Sequence, residues 1–217
     1  MDIFERLKAN CAQEWSAYVN HSFVRQISDG TLPPAAFQTY LVQDYLFLIQ
    51  FARAYALAVY KSRTLDDMRA AQGGLEAILG ETDLHIRLCG RWGLTREQVE
   101  ATPEHRATVA YTRFVLDCGA AGDLLDLHVA LAPCVVGYAE IAEKIVSHDG
   151  FSLYNHSYRD WIGEYTSEGY RASVTAAREH LDRLAARSMT EERFDDLCRI
   201  FARASLLEAD FWQMALE

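Results

Sequence analysis

Apolar residues recur at steps of three and four along nearly the whole chain, and almost nothing alternates. Phe4, Leu7, Cys11 and Trp15 set the pattern, and Phe37, Tyr40, Leu41, Asp44, Tyr45, Leu48 and Phe51 repeat it. That spacing stacks side chains on one face of a helix, whereas a half-buried strand needs a period of two. Asp29-Gly30, a pair that can turn a hairpin, follows a helical run instead of joining alternating segments. The spacing therefore predicts an all-α fold, a bundle of seven to eight helices with short connections.

Pro33-Pro34 opens a long helix reaching about Tyr60, with proline in the permitted first turn. Thr64 or Asp66 caps the next, which reaches Cys89, although Gly73-Gly74 and Gly80 weaken its continuity. Thr95-Arg96-Glu97-Gln98 reads as a capping pattern. Pro103 is expected to start a helix ending near Gly119, and a further long segment spans Gly122 to Ser147. A short element covers Ser157–Tyr165, and two helices over Tyr170–Arg187 and Thr190–Glu217 close the chain.

With 217 residues, four prolines and no linker-like run, residues 1–217 read as a single domain. The net charge of −10 and the lack of a basic cluster argue against nucleic acid as a partner. No signal-peptide pattern opens the sequence, and no uninterrupted 18-residue apolar run suggests a membrane span. The five cysteines are odd in number and scattered, without a CxxC pair, as in a reducing compartment; a cytoplasmic location is expected.

Four kinds of residue stand out against this background. Pro133 precedes Cys134, and Tyr138 follows it at i+4; a helix already begun near Asp123 would be kinked by Pro133, with Cys134 and Tyr138 on one face. A cysteine there is either a small core hydrophobe or a nucleophile. Asp44 interrupts an apolar run with Phe47 at i+3; it either bonds structurally to Arg53 or a tyrosine, or faces a ligand. Glu208 has Phe211 and Trp212 at i+3 and i+4, neighbours that would desolvate it and raise its pKa, unless it simply sits in solvent. Tyr111, Tyr138 and Tyr165 fall on three different helices and suit either a core or a pocket.

Taken together, these pieces resemble the TenA family, also called thiaminase II, of the haem-oxygenase-like helical superfamily. The resemblance runs through His21-Ser22-Phe23-Val24, Asp29 to Pro33, Tyr40 to Tyr45 and Ala132 to Tyr138. It continues in Tyr158 to Ile162 with Tyr165, and in Glu208 with Phe211-Trp212 and Met214-Ala215. It implies hydrolysis of 4-amino-5-aminomethyl-2-methylpyrimidine to the 5-hydroxymethyl compound in thiamin salvage, with cleavage of thiamin itself left open. The family nucleophile falls on Cys134, which places the chain in the cysteine-bearing branch. The catalytic glutamate falls on Glu208, the substrate-binding aspartate on Asp44, and the pocket aromatics on Phe47, Tyr111, Tyr138, Tyr165 and Phe211. The resemblance further implies a homotetramer and no metal or organic cofactor.

Two alternatives remain beside it. A dimetal oxidase of the same superfamily would use Glu81 and His85, which are spaced i, i+4, although His85 also reads as a simple partner of Glu81. A haem would draw on His21 or His128. The second alternative is a non-catalytic regulator that binds a pyrimidine without turnover.

Overall fold

The computed structural model describes residues 2–148 and 150–217. Among these there are eleven helices and no strand. They are α1 (Ile3–Asn10), α2 (Ala12–Val19), α3 (Ser22–Ser28), α4 (Pro34–Lys61), α5 (Leu65–Arg91), α6 (Arg96–Ala101), α7 (Arg106–Ala121), α8 (Leu124–Val146), α9 (Arg159–Tyr165), α10 (Glu168–Ser188) and α11 (Glu191–Ala215).

The count exceeds seven to eight for local reasons. The first apolar run breaks at Cys11, whose φ of −115° and ψ of 36° close α1 and open α2. The short α3, α6 and α9 stand as helices of their own. Each boundary has a chemical cause. Thr64, not Asp66, caps α5 by accepting from the Asp67 amide at 3.2 Å. Thr95 and Gln98 form the expected capping box. Pro103 does not start α7; His105 caps that helix, and the Pro103 carbonyl instead accepts from Gln43 Nε2 at 3.0 Å.

The glycines expected to weaken α5 do not break it, because one of them is a packing device. A Cβ on Gly74 would stand 2.2 Å from the Tyr55 ring of α4, so the bare backbone lets the two longest helices lie close together.

α8 is the core helix. Asp123 and Asp126 form a capping box at its start, and the helix runs on through Pro133 to Val146. Proline has no N–H to give the carbonyl four residues back, which loosens the backbone one residue before Cys134. By length and composition α8 is apolar enough to cross a membrane, yet 72% of its most apolar window is buried inside the fold. It packs on α7, α9, α10 and α11. α11 in turn reaches α2, α4 and α7, so α4, α5, α7, α8, α9 and α11 converge on the region around Cys134.

Candidate active site

Cys134 is half-buried. Burial pushes its thiol well above the ordinary range, and the carboxyls of Glu208, Glu81 and Asp44 push it further. A thiolate would have to form beside three acids in a medium that solvates charge poorly, so the resting group is the thiol.

Glu208 comes from α11 and is 1% exposed. Tyr111 of α7 donates its hydroxyl to Glu208 Oε1 at 2.9 Å. Burial lifts the Glu208 carboxyl to about 8, although the Tyr111 bond opposes the rise. Glu208 and Cys134 lie close enough for each to shift the other's ionisation. Phe211 and Trp212, on the same helix, are buried with it as the i+3, i+4 spacing predicts.

Asp44 is 3% exposed and does not meet Arg53, which bonds Gln50 instead. Its Oδ2 accepts from the Tyr40 hydroxyl at 3.0 Å, and Tyr40 accepts in turn from Trp161 Nε1 at 3.0 Å. His85 Nε2 also lies 2.5 Å from Oδ2. The ring N–H is not aimed along that line, so the contact is ionic before it is a hydrogen bond. His85 also meets Glu81, its Nδ1 donating to the Glu81 backbone carbonyl at 3.0 Å. Burial disfavours a charged imidazole, but Asp44 and Glu81 outweigh burial and raise His85 to about 9.

The predicted aromatics assemble around these groups. Phe47 lies 5.0 Å from Tyr111 and 5.5 Å from Phe211, ring centre to ring centre. Tyr138 lies 4.8 Å from Tyr165 and 5.2 Å from Trp212. All eight residues singled out in the sequence thus meet in one region, which holds a thiol, a buried glutamate of raised pKa and flat apolar walls.

Sequence reasoning missed several members of this site. Tyr40 and Trp161 anchor Asp44. Tyr18, fully buried on α2, has a hydroxyl without a hydrogen-bond partner among the described residues, and Glu208 and Cys134 both bear on its ionisation. A Cβ on Gly137 would sit 2.3 Å from the Tyr18 ring. The signal for Tyr18 was only a glycine three residues after Cys134. Glu81 and His85 are partners, as their i, i+4 spacing suggests, but the spacing does not show that His85 also meets Asp44.

The metal alternatives lack a donor set. Among the described residues no group of three or more His, Cys, Asp and Glu side chains is arranged to hold an ion. His21 instead caps α3, its Nδ1 accepting from the Phe23 amide at 3.2 Å, and His128 packs edge-on to His180. A small cavity between α8 and α10 is lined by Tyr55, His128 and Val135.

Known proteins share the sequence and fold of this chain. The model of the TENA/THI-4/PQQC family matches residues 8–217. An aminopyrimidine aminohydrolase of Halalkalibacterium halodurans is 37% identical over 202 residues, covering 93% of this chain and 89% of its own length. A solved structure from a Silicibacter species, described as a TenA family transcription regulator, superposes with a TM-score of 0.92 at 44% identity, covering 99% of this chain and 96% of that one. A protein of Shewanella denitrificans described with a heme oxygenase-like fold matches at a TM-score of 0.75 and 16% identity, over 98% of this chain and 91% of that one, a likeness of fold alone.

Proposed function

Because the chain belongs to the TENA/THI-4/PQQC family, we propose that it is an aminopyrimidine aminohydrolase of the thiaminase II type. It converts 4-amino-5-aminomethyl-2-methylpyrimidine to the 5-hydroxymethyl compound. The observation that carries this reading is the meeting of Cys134 with Glu208, itself held by Tyr111 at 2.9 Å, while Asp44 faces the same thiol from α4.

The geometry supports a stepwise displacement. Asp44 accepts from the 4-amino group and fixes the ring against Phe47, Tyr138 and Phe211. Glu208, protonated below about 8, gives its proton to a ring nitrogen and takes the thiol proton as sulfur adds to the ring carbon beside the side chain. No free thiolate has to persist in a site that disfavours one. Electron density then expels the amine and leaves an exocyclic methylene. Water adds there, the ring electrons return, and the thiolate leaves and recovers its proton through Glu208. Tyr165 completes the aromatic wall beside Tyr138.

The family resemblance also carries the proposal of a homotetramer. Leu65 and Leu79, exposed on α5, are apolar surface that such an assembly would cover. All five cysteines are free, which suits the cytoplasm as the place of action.

Turnover of the aminomethylpyrimidine and of thiamin by the purified protein tests the reading. Cys134→Ser should abolish turnover with an unchanged helical circular-dichroism spectrum, whereas Cys198→Ser should do little. A Cys134→Ser protein with a near-normal rate overturns covalent catalysis. Tight pyrimidine binding without turnover in the unaltered protein favours the regulator, the role in the description of the Silicibacter structure.

A further inference from the structure

A third carboxyl group at the thiol has no task in the steps above. Glu81 enters from α5, and Tyr165 donates to its Oε1 at 2.7 Å, so that Tyr165 holds Glu81 much as Tyr111 holds Glu208. Among the described residues no hydrogen bond reaches its second oxygen, and Glu81 keeps some surface while Asp44, His85 and Tyr165 around it are buried. It bears on the ionisation of both Cys134 and Glu208.

The substrate likewise has one polar group without a partner. Its ring nitrogen and 4-amino group are met by Glu208 and Asp44, which leaves the aminomethyl arm. A primary alkyl amine is an ammonium ion in neutral water, and a buried cation needs a paired anion. Asp44 already faces His85, which is charged up to about 9, and Glu208 keeps its proton up to about 8. Glu81, which burial lifts only to about 7 against the pull of His85, is the carboxyl left to supply the negative charge.

We propose that Glu81 is a further catalytic residue of this site: its carboxylate binds the ammonium of the aminomethyl arm and, once ammonia has left, takes a proton from the attacking water. This rests on the aminohydrolase reading above. In the first step the C–N bond breaks with its electron pair going to nitrogen, and NH3 departs. In the second, a C–O bond forms at the exocyclic methylene while one water proton passes to Glu81. Glu81 then returns that proton to solvent, where ammonia takes it up as ammonium. An acid at this point also sets specificity, because it favours an amine over a leaving group without a proton to share.

Glu81→Gln removes the charge and keeps the Tyr165 bond. It should raise KM for the aminomethylpyrimidine about ten- to a hundredfold, the cost of losing a hydrogen bond to a charged group. It should leave the affinity for the hydroxymethyl product, which has no ammonium, within about threefold by calorimetric titration. In the unaltered enzyme kcat/KM for the amine should rise with pH through about 7, and this limb should vanish in Glu81→Gln. The groups facing Glu81, His85 on its own helix and Asp44, Tyr165, Glu164, Tyr40, Tyr55, Tyr170, Glu208 and Cys134 from neighbouring elements, stay in place in both proteins. Should Glu81→Gln fold poorly, Glu81→Asp keeps the charge and should retain the pH limb. Equal losses for amine and product, or an unchanged pH limb, would overturn the assignment. An unaltered protein without any aminohydrolase turnover would instead overturn the reading on which it rests.

Discussion

His85 Nε2 stands 2.5 Å from Asp44 Oδ2 in the α4–α5 interface, and the contact pairs the proposed substrate-binding carboxylate with a buried imidazole. Tyr40 holds the same oxygen at 3.0 Å, so Oδ2 is occupied by the protein, and in the proposed reading Oδ1 is the oxygen that meets the substrate.

Asp44→Asn keeps the size of the side chain and puts a donor where the 4-amino group also donates. Affinity for the hydroxymethyl product should fall about ten- to a hundredfold, equivalent to about 1–3 kcal/mol for an unpaired buried polar group. From the sequence alone, Asp44→Ala reads as a change that stabilises the empty protein by removing a desolvated charge. With His85 in place the sign reverses, since breaking one side of a buried pair costs about 3–5 kcal/mol. Calorimetric titration and urea unfolding check the two statements separately. Wild-type affinity in both variants would remove Asp44 from the binding site.

Glu208→Gln retains the shape and can still accept from Tyr111, but it cannot shuttle a proton. A loss of about 10²–10⁴ in kcat is expected for a general acid–base group. The sign of its pH dependence follows from burial. A carboxyl lifted to about 8 is the acid below that value and is lost as the acid above it, so activity should decline on the alkaline side near pH 8. That limb should be absent from the residual activity of Glu208→Gln. An identical profile in the two proteins would argue against the role.

Much of the site was legible in the sequence because its parts break local rules. A carboxylate within Leu41-Val42-Gln43-Asp44-Tyr45-Leu46, or a proline inside an apolar helix, has to be explained by something. The all-α class and the long α8 and α11 were legible for the opposite reason, as strongly periodic segments. What stayed hidden belongs to tertiary contacts. Nothing local in α5 marks His85 as the partner of Asp44, because the contact joins helices across a turn. Gly74 looked like a helix breaker and is instead the seat of the Tyr55 ring. Tyr18 carries no signal in its own helix, and only Gly137 on α8 hints at the ring that packs there.

Gly137→Ala tests the close approach of α2 to α8. The new methyl would meet the fully buried Tyr18 ring, which stacks on Trp212 at 6.1 Å and has little room to move. Overpacking of this kind costs about 1–3 kcal/mol. Because Tyr18 also borders Glu208 and Cys134, activity should fall by more than the loss of folded protein explains. Thermal unfolding and kcat measured on the same preparation separate the two, and Tyr18→Phe in the Gly137→Ala background should not restore stability.

Two buried histidines meet in the α8–α10 contact. His128 and His180 meet edge-on with ring centres 4.8 Å apart. His128 Nδ1 donates to the Leu124 carbonyl at 2.8 Å, while neither nitrogen of His180, which is 3% exposed, has a hydrogen-bond partner among the described residues. Burial pushes His180 down to about 4, and His128, Arg183 and Arg187 add to the effect against Asp67. Burial lowers His128 as well. A folded-state pKa below that of the unfolded chain means that the unfolded chain binds the proton first. The stability held by neutral His180 is therefore full above pH 6.5 and is lost as pH falls toward about 4. At about 1.4 kcal/mol per unit, the loss over that window is about 2–3 kcal/mol. His180→Leu removes the titrating ring and fills its place with apolar atoms. Urea unfolding at pH 7 and pH 5 should show wild-type stability falling more steeply than that of His180→Leu, while the carboxylates common to both titrate alike. Parallel losses in the two proteins would show that the histidine pair plays no part in acid sensitivity.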